Sequence, residues 1–177
     1  MKILDLGCGI DKYKAKTATV IGIDQVDVPG VDVKHDLDKF PYPFKEDEFD
    51  MVYCSHILEH VKDLTKTLKE LQRITKPNGI IKIRVPHFSC GVTYRDPTHV
   101  RFFSYFTFDY YSDKCFYAPI KFVVKKQSFN FTRTAMTWLN GWLNPLLNAF
   151  PTMYERFFCW ILPTSEVLFE LENIKSR

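Results

Sequence analysis

The chain is poor in glycine, with seven in 177 residues, and both common phosphate-binding signatures are missing from it. No GxxxxGK[ST] segment exists, which excludes a P-loop. The opening segment, "LDLGCGIDKYKAKTATVIGID" (4–24), offers Gly7 and Gly9, but Lys12 stands where a dinucleotide fingerprint needs its third glycine. Asp24 also follows these glycines more closely than the roughly 20-residue offset expected of an NAD-binding acid. A nicotinamide oxidoreductase is thereby disfavoured. The five cysteines (Cys8, Cys54, Cys90, Cys115, Cys159) form no CxxC pair, which argues against zinc and disulfides and for reduced thiols in the cytoplasm. No run of 18 apolar residues is present, so no spanning helix is expected, and because the first apolar run starts at Ile3 no secretory leader is expected either. Lysine and arginine do not cluster and the net charge is +3, so nucleic acid is not an expected partner.

What is present reads as one domain, residues 1–177, without repeats or linkers. Short runs rich in β-branched residues predict strands at 2–6, 19–24, 31–36, 49–54, 79–86 and 120–126. Leu64, Leu68, Leu71 and Ile74 recur at helical spacing, predicting a helix over 62–75 that "KPNG" stops. A second helix is predicted from Thr107, capped by its hydroxyl. Strands separated by helix argue for a parallel α/β sheet.

A strand, a two-glycine turn, a second strand and a terminal acid suit a nucleoside. Asp24 can accept hydrogen bonds from ribose hydroxyls, and the glycines let the backbone come close. These segments resemble class I S-adenosylmethionine-dependent methyltransferases, particularly the ubiquinone and menaquinone branch. "LDLGCG" is similar to the first cofactor motif and "VIGID" to the second strand with its ribose acid. "HDLDKFPYPFKEDEFDMVYCSHILEHV" and "LKELQRITKPNGIIKIRVP" resemble the segments from the adenine loop through strand five, extending the likeness over about residues 2–86.

The resemblance implies a Rossmann-like, doubly wound, mostly parallel seven-strand sheet with an antiparallel last strand, here "SEVLFELENI" (165–174), and S-adenosyl-L-methionine as cofactor. It places Asp5, Gly7, Cys8 and Gly9 at the methionine end, Asp24 on the ribose, Asp36 and Leu37 on the adenine, and Ser55 and His56 beside the sulfonium. Read alone, Asp5 and Asp36 would bond only backbone, His60 would brace its loop, and Cys8 and Cys54 would be packing residues. A catalytically silent cofactor sensor is the alternative to an enzyme.

The chain departs from the family in three places. Met1 abuts the first strand, about nine residues join Gly9 to Thr19, and "DQVDVPGVDV" has no room for a helix. The helices of one sheet face are therefore expected to be reduced or missing. Lys82 and Arg84 alternate with Ile81, Ile83 and Val85, as in a strand wet on one side. The expected cover is an aromatic-rich helical insertion at about 134–163, before the last strand. Trp138, Trp142, Leu146, Phe150, Phe157 and Trp160 are expected to be buried within the chain or against a second copy, with peripheral membrane contact as the sharper alternative.

The segment after strand five, "HFSCGVTYRDPTHVRFFSYFTFDYY" (87–111), emerges where doubly wound sheets hold their ligands. His87 and His99 are candidate bases with Asp96 supporting, and Tyr94, Arg95 and Arg101 candidate contacts to a small-molecule or glycan acceptor, methylated at oxygen. His87, Asp96 and His99 show no recognised metal-ligand spacing, so no metal is expected.

Overall fold

The β-branched runs become one sheet: β1 (Lys2–Leu6), β2 (Thr19–Asp24), β3 (Val33–Lys34), β4 (Phe49–Ser55), β5 (Thr75–Pro86), β6 (Phe122–Asn130) and β7 (Glu166–Asn173). The computed structural model describes residues 1–175. It orders the strands β3-β2-β1-β4-β5-β7-β6. Neighbours from β3 to β5 are parallel, and β7 runs antiparallel to both β5 and β6. This is the expected mostly parallel, doubly wound sheet, with its order reversing between β1 and β4.

The longest helix before β5, α1 (Leu64–Ile74), starts where Asp63 accepts the Lys66 amide at 2.9 Å. Its Leu64, Leu68, Leu71 and Ile74 are buried as the spacing requires. Each contributes about 1.5–3 kcal/mol by leaving water. They meet Leu4, Leu6, Ile23, Val52, Cys54, Ile81, Ile83, Phe169 and Leu171 from one face of the sheet, and Phe103 and Phe108 complete this core. The helix expected from Thr107 is a single 3-10 turn, Thr107–Tyr111, and the Thr107 hydroxyl accepts the Ser104 amide instead of capping it.

Among the described residues no helix precedes β1 or links β1 to β2 or β2 to β3. The face they leave open is not a bare apolar surface. Strand register lays Asp5, Tyr53, Lys82, Glu170 and Lys126 in one row across it. Tyr13 stacks on Tyr53 with centroids 4.5 Å apart, and Lys82 pairs with Glu170 at 3.5 Å. A side chain that keeps its charge in water needs no helix over it.

The aromatic insertion therefore goes elsewhere, to the open edge of β6. On α3 (Asn140–Ala149), Asn140, Asn144 and Asn148 stand four residues apart and face the strand. Asn148 accepts the Phe129 amide at 2.7 Å and donates to its carbonyl at 3.1 Å. Asn144 accepts the Phe131 amide at 2.8 Å, and Asn140 accepts the Thr132 amide at 3.0 Å. Side-chain amides thereby pair the end of the β6 edge and the residues that follow it. Leu147, Tyr154 and Cys159 are buried behind this ladder.

The six side chains expected to be buried are not buried within the chain. Trp138, Trp142, Leu146, Phe150, Phe157 and Trp160 are between 54% and 78% exposed. The expectation assumed a face needing cover, whereas α3 covers an edge and turns its other side to solvent. Among the described residues no helix is long and apolar enough to cross a membrane.

Asn148→Ala removes both bonds to Phe129 and should cost about 1–3 kcal/mol in urea unfolding; an unchanged midpoint would show that Leu147 packing alone holds the edge. In dilute solution iodide should quench all three tryptophans freely. Sedimentation with and without liposomes then distinguishes a second copy from a lipid surface as cover for them, and tryptophans shielded from iodide in the dilute monomer would contradict the exposed ridge.

Candidate functional site

Near the point where the strand order reverses, loops leaving the carboxyl ends of β2, β3 and β4 line a narrow cleft of about 70 Å³. Gly7 and Gly9 form the turn after β1 with φ of +69° and +51°, and the Gly7 amide donates to the Ile23 carbonyl at 2.8 Å. A Cβ on Gly7 would lie 2.4 Å from Ile57 Cγ1, so only glycine fits there. Asp24 reaches back from the end of β2 to accept the Gly9 amide at 2.9 Å. It shares the cleft with Gln25, Asp36, Leu37, Asp38, Ile57, His60 and Val61.

Three carboxylates and no lysine or arginine line this space, which repels a phosphate. Leu37, Ile57 and Val61 supply apolar contact for a flat ring, Asp24 supplies an acceptor for hydroxyls, and Asp36 one for an N–H donor on the ring. The lining fits the adenosine of S-adenosylmethionine. Asp5, beneath the turn, accepts the Tyr13 amide at 2.7 Å. Burial pushes its pKa up to about 6, against the Tyr13 amide and Lys12. Cys8 is buried against the Gly30 carbonyl, and burial raises its thiol to about 11, so it is a packing residue.

A second cleft of about 490 Å³ adjoins the first and shares His60 with it. His56, Glu59, Pro86, Val92, Arg95, Asp96, Pro97, His99 and Arg133 also line it. Ser55 ends β4, paired in register with Arg84. The next residue, His56, has φ +54° and lines the second cleft. Its Nε2 lies 3.1 Å from Glu166 Oε2 and 2.7 Å from Arg133 Nη1. The ring donates to the carboxylate when Nε2 is protonated and accepts from Arg133 when it is bare. Burial lowers its pKa, but the Glu166 and Glu59 carboxylates outweigh that and raise it.

The acceptor-side candidates separate. Arg95, Asp96 and His99 come together in the second cleft. His99 Nδ1 donates to the Thr93 carbonyl at 3.0 Å, while its Nε2 is 3.9 Å from Asp96, too far for a hydrogen bond. Asp96 instead accepts from the Thr98 hydroxyl at 2.7 Å, which lies 2.9 Å from His60 Nδ1. Asp96 thus braces His60 rather than His99.

His87 departs from the expected role. It is fully buried, with Nδ1 2.8 Å from Ser89 Oγ and Nε2 3.0 Å from Glu155 Oε1. With both nitrogens engaged and no access, it holds the loop to the insertion and cannot meet an acceptor. Arg101 donates to the Val61 and Lys62 carbonyls, and Tyr94 stacks on Phe102 with centroids 5.2 Å apart. Neither lines the second cleft. Sequence reasoning missed Glu59, Arg133 and Glu166. Glu59 sits in "HILEHV", three residues after His56, where the spacing of the polar residues was the available signal; Arg133 and Glu166 meet His56 only through the tertiary fold.

Comparisons with known proteins agree with this geometry. A family profile described as "Methyltransferase domain" matches residues 1–128. Demethylmenaquinone methyltransferase of Staphylococcus saprophyticus is 33% identical over 99 residues, covering 45% of this chain and 42% of that protein. Ubiquinone biosynthesis O-methyltransferase of Pseudomonas entomophila is 33% identical over 95 residues, covering 44% and 41%. The chain thus spans about two-fifths of the length of these relatives. A solved SAM-dependent methyltransferase from Archaeoglobus fulgidus superimposes with a TM-score of 0.67 at 19% identity, covering 97% of this chain and 85% of that one.

Glu166 supplies the pH test. Burial would raise its pKa, but hydrogen bonds from His56, Arg84 and Asn130 bring it down to about 2. A depressed carboxylate stabilises the fold above its unfolded pKa, about 4.5, and that stability is lost as pH falls toward 2. Glu166→Gln should be less stable at pH 7 by about 2–4 kcal/mol, with the gap closing between pH 4.5 and 2 in denaturant titrations. A gap constant across that window would mean the carboxylate charge contributes nothing.

Proposed function

The chain belongs to the methyltransferase-domain family, whose cofactor is S-adenosylmethionine, and from that premise we propose that it methylates an oxygen of a small-molecule or glycan acceptor. The observation that carries the reading is the first cleft, where Asp24 is bonded to the Gly9 amide and acids replace phosphate-binding cations. When bound, the cofactor supplies an electrophilic methyl on a sulfonium. Asp24 is assigned to the ribose hydroxyls, Asp36 and Leu37 to the adenine, and the Gly7–Gly9 turn to the methionine end.

The second cleft is assigned to the acceptor. Its volume suits a molecule of monosaccharide size, and Arg95 and Arg133 can hold an anionic group on it. His99, with Nδ1 committed to the Thr93 carbonyl, keeps a lone pair on Nε2 for the acceptor hydroxyl. Asp96 supports the same wall through Thr98 and His60. The choice of oxygen is favoured by the relatives named as O-methyltransferases.

Calorimetry tests the first half of the reading. S-adenosylhomocysteine should bind and NADH should not. Asp24→Ala loses charge-assisted hydrogen bonds of roughly 1.5–3 kcal/mol each and should weaken S-adenosylhomocysteine at least tenfold while the circular dichroism stays native. Undiminished affinity in this variant removes Asp24 from the ribose, and binding of NADH alone would end the methyltransferase reading.

A further inference from the structure

Glu59 is 1% exposed, yet neither of its carboxylate oxygens has a hydrogen-bond partner among the described residues. Its nearest cationic neighbour, His56 Nδ1, lies 3.4 Å from Oε1, outside hydrogen-bond geometry. A buried carboxylate with no hydrogen bond and only this one ion pair is costly, and native proteins resolve it with a proton, further counter-charge or a metal.

Two imidazoles stand beside it in defined tautomers. The Thr98 hydroxyl donates its one proton to Asp96, so it must accept from His60 Nδ1–H, leaving the lone pair of His60 on Nε2. The Thr93 carbonyl can only accept, so His99 Nδ1 carries its proton and the lone pair again falls on Nε2. Metal-binding histidines are commonly held this way, one ring nitrogen donating to an oxygen while the other is free to ligate. The two segments are also tied together, since the Val100 amide donates to the Glu59 carbonyl at 3.0 Å.

One ligand atom from each of Glu59, His60 and His99 lies within 4.8 Å of the other two. Ligands about 2.1 Å from an ion stand roughly 3–4 Å apart, so small side-chain rotations close the set. We propose that Glu59, His60 and His99 form a binding site for a divalent first-row transition-metal ion on the wall of the second cleft. One carboxylate and two imidazoles suit such an ion and not a soft monovalent one. Three protein ligands leave coordination positions open toward the cleft that the functional reading gives to the acceptor, and only this placement rests on that reading. His99 would then act on an acceptor hydroxyl through the ion rather than as a free base.

The test uses the full chain, stripped with a chelator and titrated with Zn²⁺, Mn²⁺ or Co²⁺ alone. The parent should bind one equivalent of ion, raise its melting temperature, and show visible Co²⁺ absorption of a nitrogen- and oxygen-ligated centre. His60→Ala and His99→Ala should each weaken binding at least tenfold and lose that spectrum while folding normally. Glu59→Gln should do the same, and should it fail to fold the two histidine variants still decide. No stoichiometric binding by a folded parent, or binding unchanged in both histidine variants, overturns the site. S-adenosylhomocysteine binding measured in parallel separates the outcomes, because failure of the metal with retention of that ligand strikes only this inference.

Discussion

One buried carboxylate holds the functional end of this sheet together. Glu166 opens β7 with no exposure and takes Arg84 Nη2 from β5 at 2.7 Å and Asn130 Nδ2 from β6 at 2.6 Å. His56, just beyond β4, and Arg133, just beyond β6, meet its other oxygen at 3.1 and 3.7 Å. β7 is the antiparallel strand inserted between β5 and β6, so its first residue lies where one side chain meets all of these. A charge so placed must be fully compensated, and its depressed pKa says that it is. Two of the groups it holds, His56 and Arg133, line the second cleft.

The reduced helical cover follows from how the sheet is patterned. A helix over a strand is needed only where the strand is apolar on that side, and here the row beyond the buried Asp5 carries Tyr53, Lys82, Glu170 and Lys126. Tyr13, in the short spacer between β1 and β2, does with one ring what a crossover helix would do with several side chains. After β6, an asparagine at every fourth residue of α3 bonds the end of that strand's open edge and the residues just past it.

Much of the fold was legible because it is written in local patterns. The strands, the helix carrying Leu64, Leu68, Leu71 and Ile74, and the order of motifs around Gly7, Gly9 and Asp24 depend on neighbours in sequence. Strand limits were less legible. The segment 31–36 keeps only Val33 and Lys34 as strand, and β5 begins at Thr75, directly after α1. What failed depended on long-range partners. His87 looked like a base until Glu155, 68 residues away, closed its second nitrogen. The aromatic insertion looked like cover for a face because nothing in its composition distinguishes a sheet face from a sheet edge. The asparagine spacing in "NGWLNPLLNAF" was the signal for the edge, and it is visible only once β6 is known to end the sheet.

That insertion does two opposite things with the same residues. Outward it shows tryptophan and phenylalanine to solvent; inward it plants Glu155 against the loop after β5. Glu155 accepts from His87 Nε2 at 3.0 Å, from the Ser104 hydroxyl at 2.8 Å and from the Tyr105 amide at 2.5 Å. Burial raises its pKa, but these donors, led by His87, bring it below the ordinary carboxylate value. The loop that carries Arg95, Asp96 and His99 has only the short α2 (Gly91–Arg95) and one 3-10 turn to stiffen it. Its position therefore rests on a carboxylate supplied by the insertion, much as the opposite wall rests on Glu166. Two acids from the C-terminal quarter of the chain thus position residues around a cleft whose cofactor-side neighbour is lined entirely by residues 24–61.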